Sequence, residues 1–157
     1  MKNFEVMKTI TGDLIHLAKN GEFDLIVHGC NGFCTMGAGI AKGIKAALPA
    51  AYEADLGTGR GDRAKLGTCT YAEIDLNGSP FIVMNAYTQF DYRGSGPKVN
   101  YEAVRSCFRW IREQHSGKRI GLPKIGAGLA GGDWARIAGI IAEELAGEDV
   151  TLVEFSP

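Results

Sequence analysis

The feature that most constrains this chain is a pair of glycine-rich turns, each set between an apolar run of strand character and a segment with helical spacing. The first, Gly37-Ala38-Gly39, is reached from Phe23–His28, and the second, Gly126-Ala127-Gly128-Leu129-Ala130-Gly131-Gly132, from Arg119–Leu122. Strand, tight turn and helix in that order build a sheet with helices on its faces. Glycine lets the backbone approach a ligand closely, and the first N–H groups of the following helix carry the positive end of its dipole without an intrahelical partner. One such turn suits a phosphate; two suit a diphosphate held from both sides. Neither turn is a P-loop, because no Gly-Lys-Ser/Thr follows. The second turn spells Gly-x-Gly-x-x-Gly over Gly126–Gly131, but the predicted helix opens only at Trp134, beyond the motif rather than within it, so neither turn is read as the dinucleotide fingerprint.

The rest of the chain reads around these turns. A first strand is predicted over Phe4–Ile10, and Asp13 caps a short helix over Leu14–Lys19. Phe23–His28 lacks clear alternation, as a strand covered on both faces does. Ile40, Ala41, Ile44 and Leu48 recur at helical spacing over Gly39–Leu48; Pro49 stops that helix, and a second piece follows over Ala50–Leu56 before the polar loop Gly57–Asp62. Strands over Gly67–Asp75 and Pro80–Tyr87 flank Asn77-Gly78, a strong signal for an antiparallel hairpin. A loop over Thr88–Lys98, a helix over Asn100–Gln114, a strand over Arg119–Leu122, a helix over Trp134–Leu145 and a last strand over Val150–Phe155 complete the chain. The expected fold is three-layer α/β/α with a mixed central sheet, one domain over residues 1–157. In such sheets ligands bind beyond the carboxyl ends of the strands, where both glycine turns fall.

Composition narrows the function classes. A chain of 157 residues buries roughly 68 to 70 % of its unfolded surface and needs no disulfide. Its 22 glycines are about twice the usual share of roughly 7 %, and the excess sits in turns. Cys30, Cys34, Cys69 and Cys107 are too scattered for a zinc site, so no metal or other cofactor is expected. Cys30 and Cys34 read as packed thiols or, alternatively, as nucleophiles. Seventeen basic residues against 18 acidic ones leave a net charge of −1, which argues against broad electrostatic binding to nucleic acid or a membrane. With no signal peptide, apolar span or lipidation motif, the chain is expected to be cytoplasmic, and it is read as a monomer.

Taken together, Thr11-Gly12-Asp13-Leu14, His28-Gly29-Cys30-Asn31, Met36-Gly37-Ala38-Gly39-Ile40-Ala41 and Pro123-Lys124-Ile125-Gly126-Ala127-Gly128-Leu129 with Gly131, Gly132 and Trp134 resemble a macro domain over nearly the whole chain. The nearest branch holds ADP-ribose-1″-phosphate phosphatases and terminal ADP-ribose glycohydrolases. The resemblance implies the three-layer macro-domain fold and binding of ADP-ribose or ADP-ribose-1″-phosphate, with ADP-ribosylated macromolecules as further partners. It implies that Asp13, next to Leu14, accepts from the adenine amino group, the alternative being a plain helix cap. Phe155 is the candidate for stacking on adenine, the alternative being a core aromatic in an edge strand. Backbone N–H groups around Met36, Gly37, Ala38, Gly39, Ile40 and Ala41 would hold the ligand near its distal ribose, which Asn31 would contact, the alternative for Asn31 being a structural turn residue. Those of Ile125, Gly126, Ala127, Gly128 and Leu129 would hold the diphosphate. Tyr87, Tyr92 and Arg93 would line the distal-ribose mouth, the alternative being exposed loop residues, and Gln89 is a further ligand-binding candidate.

The catalytic expectation is a phosphatase in which Asp133 activates a water, Asn31 orients it and His28 assists the leaving sugar oxygen. The alternatives for these residues are a first-turn acid at Asp133 and a histidine pinning a loop at His28. Two departures weaken a glycohydrolase reading. The segment Asn85-Ala86-Tyr87-Thr88-Gln89-Phe90 has glutamine where those relatives carry a nucleophilic lysine, and Ala130 stands where some carry an aspartate. A non-catalytic ADP-ribose reader is the remaining alternative.

Overall fold

A computed structural model describes residues 7–156. Six strands, β1 (Lys8–Gly12), β2 (Leu25–Cys30), β3 (Cys69–Leu76), β4 (Ser79–Tyr87), β5 (Arg119–Leu122) and β6 (Asp149–Phe155), form one sheet in the order β1-β6-β5-β2-β4-β3. All neighbours are parallel except β3 and β4, so the sheet is mixed as expected. Among the described residues five α-helices accompany it, α1 (Leu14–Lys19), α2 (Gly39–Ala47), α3 (Pro49–Leu56), α4 (Tyr101–His115) and α5 (Trp134–Glu144), with a single 3-10 turn at Arg63–Lys65.

Side chains of successive strand residues point to opposite faces, and both faces here are covered. Leu25, Val27, Ile82 and Met84 pack with Val104, Phe108 and Ile111 of α4 and Ile137 and Ile141 of α5. On the other face Ile26, Phe81 and Val83 pack with Leu14 of α1, Ile44 of α2 and Ala51 of α3. Double coverage explains why β2 reads as an unbroken apolar run.

Local chemistry sets the element ends. Asp13 and Asn100 accept from the N–H groups of His16 and Ala103 as N-caps of α1 and α4. Pro49 opens α3 rather than merely ending α2, because its missing N–H is one that a first-turn residue would leave unpaired. Asn77 and Gly78 both take positive φ, 54° and 86°, as the tight hairpin turn between β3 and β4 requires. One expectation is corrected: β6 is not an edge strand, since it pairs with β1 and β5, and β1 takes the edge. Of the first expected strand, residues 4–6 lie outside the described residues. Among the described residues no helix is long and apolar enough to cross a membrane.

The two glycine turns meet because β2 and β5 are parallel neighbours, with Leu25 opposite Ile120 and Ile26 opposite Gly121. From their adjacent carboxyl ends the chain runs to α2 on one face and to α5 on the other. That divergence opens a crevice between the turns. The second turn closes on itself through the Gly132 N–H, which donates to Gly126 O at 2.7 Å. A Cβ on Gly132 would lie 2.5 Å from Val99 Cγ1 and 2.6 Å from Gly126 O. Gly132→Ala is therefore expected to lower stability by about 1 to 3 kcal/mol, read as a lower urea midpoint with an unchanged slope.

Candidate functional site

A cavity of about 720 Å³ fills that crevice, within the range of roughly 300 to 1,000 Å³ usual for small-molecule sites. Its first wall is the loop after β2. Asn31 shapes this loop by accepting from the Phe33 N–H through Oδ1 and donating to Thr35 Oγ1 through Nδ2, both at 2.8 Å. Cys34 and Met36 take left-handed φ values of 57° and 39° without being glycine, a strained backbone of the kind that clusters at ligand sites. α2 then begins at Gly39, after the N-cap Ala38, whose side chain offers no cap. The N–H groups of Gly39, Ile40 and Ala41 therefore lack helical partners, and all three residues line the cavity together with Met36, Gly37 and Ala38.

The opposite wall is the turn after β5. Ile125, Gly126, Gly128 and Leu129 line it, and the N–H groups of Gly126, Gly128 and Leu129 have no protein partner among the described residues. The expectation that every N–H from Ile125 to Leu129 faces a ligand is corrected, because Ile125 donates to Pro123 O at 2.8 Å and Ala127 to Lys124 O at 3.2 Å. Of the two charged residues in the walls, Lys124 is paired with Glu154 at 3.4 Å. Gln89 and Tyr92 complete the mouth beside β4.

Several expected site residues stand elsewhere. Asp133 is the N-cap of α5, its carboxylate accepting from the Ala135 N–H at 3.0 Å, and it is not part of the cavity wall. Leu14 is packed in the core, and Ala127 against the core. Asp13 and Phe155 lie outside the cavity, yet near one another, because Gly12 and Phe155 are opposite residues of β1 and β6. Phe155 is 74 % exposed, so it is not a core aromatic.

His28, expected to assist the leaving sugar oxygen, is completely buried beneath the site and is not part of the cavity wall. Its Nε2 lies 2.7 Å from Asn85 Oδ1. Asn85 donates through Nδ2 to Ala51 O at 2.9 Å and to Thr70 Oγ1 at 3.1 Å, so its oxygen is the acceptor and the imidazole proton sits on Nε2. Thr70 Oγ1 lies 2.9 Å from the Tyr87 hydroxyl, which donates to Asp55 Oδ1 at 2.7 Å. Having accepted from Asn85, Thr70 is left to donate to Tyr87. Every hydrogen in this row thus points toward Asp55. Tyr87, expected at the mouth, is wholly buried and reaches the cavity only through Asp55, which lines it. Burial, and after it the Asp55 hydrogen bond, pushes the Tyr87 phenol up and keeps it a donor. Burial likewise pushes the Cys30 thiol up, so it is no nucleophile.

Asp55 was missed in the sequence because nothing local marks it. The signal available was a pair of isolated polar residues, His28 and Asn85, inside two apolar strands that the fold places opposite each other.

Burial lowers the pKa of His28 from 6.5 to about 4, against a smaller opposing effect of the Asn85 bond. Above pH 6.5 the imidazole is neutral in both folded and unfolded chains. Below it the unfolded chain takes up a proton that the folded one refuses, so stability falls by about 3 kcal/mol between pH 6.5 and 4 on this account. Denaturant titrations at several pH values should show that dependence flattened by about this amount in His28→Gln.

Comparison with known proteins agrees with this architecture. The sequence pattern of the Macro domain family matches residues 27–141. A 17.5 kDa protein from the tk-vs intergenic region of Enterobacteria phage T4 is 35 % identical over 97 % of this chain and 98 % of its own length. The macrodomain of Thermus aquaticus DarG has a TM-score of 0.71 at 25 % identity, covering 96 % of this chain and 98 % of that one. Thermosipho africanus DarTG, solved in complex with ADP-ribose, has a TM-score of 0.71 at 16 % identity over 96 % of this chain and 42 % of that one, a likeness of fold. By its sequence and by a fold that carries both glycine turns to one crevice, the chain belongs to the macro domain family.

Proposed function

We propose that this chain, acting as one domain, binds ADP-ribose or a molecule that ends in it. The observation that carries this reading is the pair of unpartnered N–H rows, Gly39 to Ala41 and Gly126 with Gly128 and Leu129, on facing walls of one cavity. Dipolar N–H groups at a helix start and in a glycine turn suit a diphosphate bridging them. The order of the strands supports the rest of the ligand. Asp13 and Phe155 stand at the carboxyl ends of β1 and β6, the diphosphate turns follow β5 and β2, and Gln89 follows β4. Four steps of about 4.8 Å separate β1 from β4, a run of roughly 19 Å suited to an extended nucleotide diphosphate sugar. Adenine then lies against Phe155 with Asp13 at its edge, and the second sugar lies between Asn31, Gln89 and Asp55.

Binding without hydrolysis is the finer reading favoured here. The phosphatase route needs an acid and a base at the distal sugar, and the residues expected in those roles are a buried neutral His28 and an N-cap Asp133. The lysine route has Gln89 at its position. Phosphorus NMR of the protein with ADP-ribose-1″-phosphate should show shifted diphosphate resonances and no inorganic phosphate; steady release of phosphate would restore the phosphatase.

Ala38→Asp should separate fold from ligand. An aspartate at this extended N-cap position satisfies the α2 N–H groups and raises stability by about 1 kcal/mol. The same carboxylate occupies and neutralises the anion site, so affinity for ADP-ribose should fall at least tenfold in calorimetry while the melting temperature rises.

A further inference from the structure

Asp55, on the last turn of α3, is 1 % exposed and is nevertheless part of the cavity wall. The only hydrogen bond to its carboxylate from the described residues is the one from Tyr87 to Oδ1. Its second oxygen has no partner among the described residues, yet of these His115 Nε2 alone is a sealed, unpartnered side-chain atom. Asp55 Oδ2 is therefore not fully sealed, and the little exposure the residue has is at the cavity wall. No lysine, arginine or histidine forms an ion pair with it among the described residues. Lys65, the other buried charge of the region, donates instead to Gly32 O at 3.1 Å and lies 3.4 Å from Cys34 Sγ. A buried acceptor without a cation needs donors, and the protein supplies them from one side only, through the row from His28 to Tyr87.

We propose that Asp55 is the specificity-determining residue of this cavity, its free oxygen accepting from hydroxyls of the ligand's terminal sugar and disfavouring a ligand that ends in a phosphomonoester. The proposal rests on the ADP-ribose reading. Apart from the adenine amino group at the far end, the sugar hydroxyls are the part of such a ligand that can donate; its phosphates offer only acceptors and negative charge. The position fits, because Asp55 lies beside the Asn31–Met36 loop, away from the Asp13 and Phe155 end of the strand row. The backbone N–H rows then take the diphosphate, and the carboxylate reads what lies beyond it.

Calorimetry of the wild type, Asp55→Asn and Asp55→Ala with ADP, ADP-ribose and ADP-ribose-1″-phosphate tests this. The wild type should bind ADP-ribose at least tenfold tighter than ADP, and ADP-ribose-1″-phosphate more weakly than ADP-ribose. Asp55→Asn keeps an acceptor for Tyr87, so it should hold ADP within about twofold while losing most of the preference for ADP-ribose over ADP and tolerating the phosphomonoester better. Asp55→Ala should lose the same preference. If both variants keep the wild-type ratio of ADP-ribose to ADP affinity, Asp55 only packs, and the proposal is wrong while the ADP-ribose reading stands. If the wild type binds neither ADP nor ADP-ribose, the reading beneath the proposal falls, and the proposal with it.

Discussion

The parallel pairing of β2 with β5 is the constraint on which the site depends. Only two residue pairs define that contact, Leu25 with Ile120 and Ile26 with Gly121, yet they set the carboxyl ends of two strands side by side. Because α2 returns to the face carrying Ile26 and α5 to the face carrying Leu25, the loops between strand and helix must part. A crevice at that edge is a consequence of topology, present whatever side chains line it. The glycine turns then determine its chemistry by turning backbone N–H groups, rather than side chains, toward the space between them.

Much of this was legible because it is local. Asp13 fixed the start of α1, Asn77-Gly78 the hairpin, and both glycine turns the exits from β2 and β5, each through chemistry contained within a few residues. What escaped was the direction of side chains that end a strand. His28 closes an apolar run just before the ligand loop, where a sequence offers no means of telling a residue facing the ligand from one facing α3. The choice is made by register: His28 is opposite Asn85, and Asn85 is opposite Thr70. Three polar side chains in line across three strands satisfy one another, and the row continues to Tyr87 and Asp55 through contacts 17 and 32 residues apart. Asp133 misled for the opposite reason. Its position at a helix start was visible, and there its carboxylate accepts from the Ala135 N–H outside the cavity wall.

The buried row also shows how a polar network is tolerated under a site. Each member from His28 to Tyr87 has its hydrogen-bonding directions fixed by its neighbours, so there is one arrangement of protons rather than several. A neutral imidazole is required at one end, since a charged one would add an uncompensated buried charge, and its depressed pKa expresses that requirement. At the other end the row meets the cavity in a carboxylate. The network therefore both holds β2, β4, β3 and α3 together and determines which end of the cavity is acidic.

That acidity is informative because the anion site proposed for the remainder of the cavity has little help from cations. Lys124 is paired with Glu154, and the other wall groups offered to a phosphate are backbone N–H dipoles. Dipoles at a helix start act within about a turn, whereas two like charges 4 Å apart repel by about 4 kcal/mol at an effective dielectric of 20. A phosphate can therefore be held between the turns and still be unwelcome a few ångströms further along, beside Asp55. A ligand that fits both must carry its charge in the middle and neutral hydroxyls at its end. On the proposed reading, the order of strands in the sheet suits a linear molecule, with an aromatic base toward β1 and β6, a diphosphate at the turns after β5 and β2, and an uncharged sugar where α3 ends.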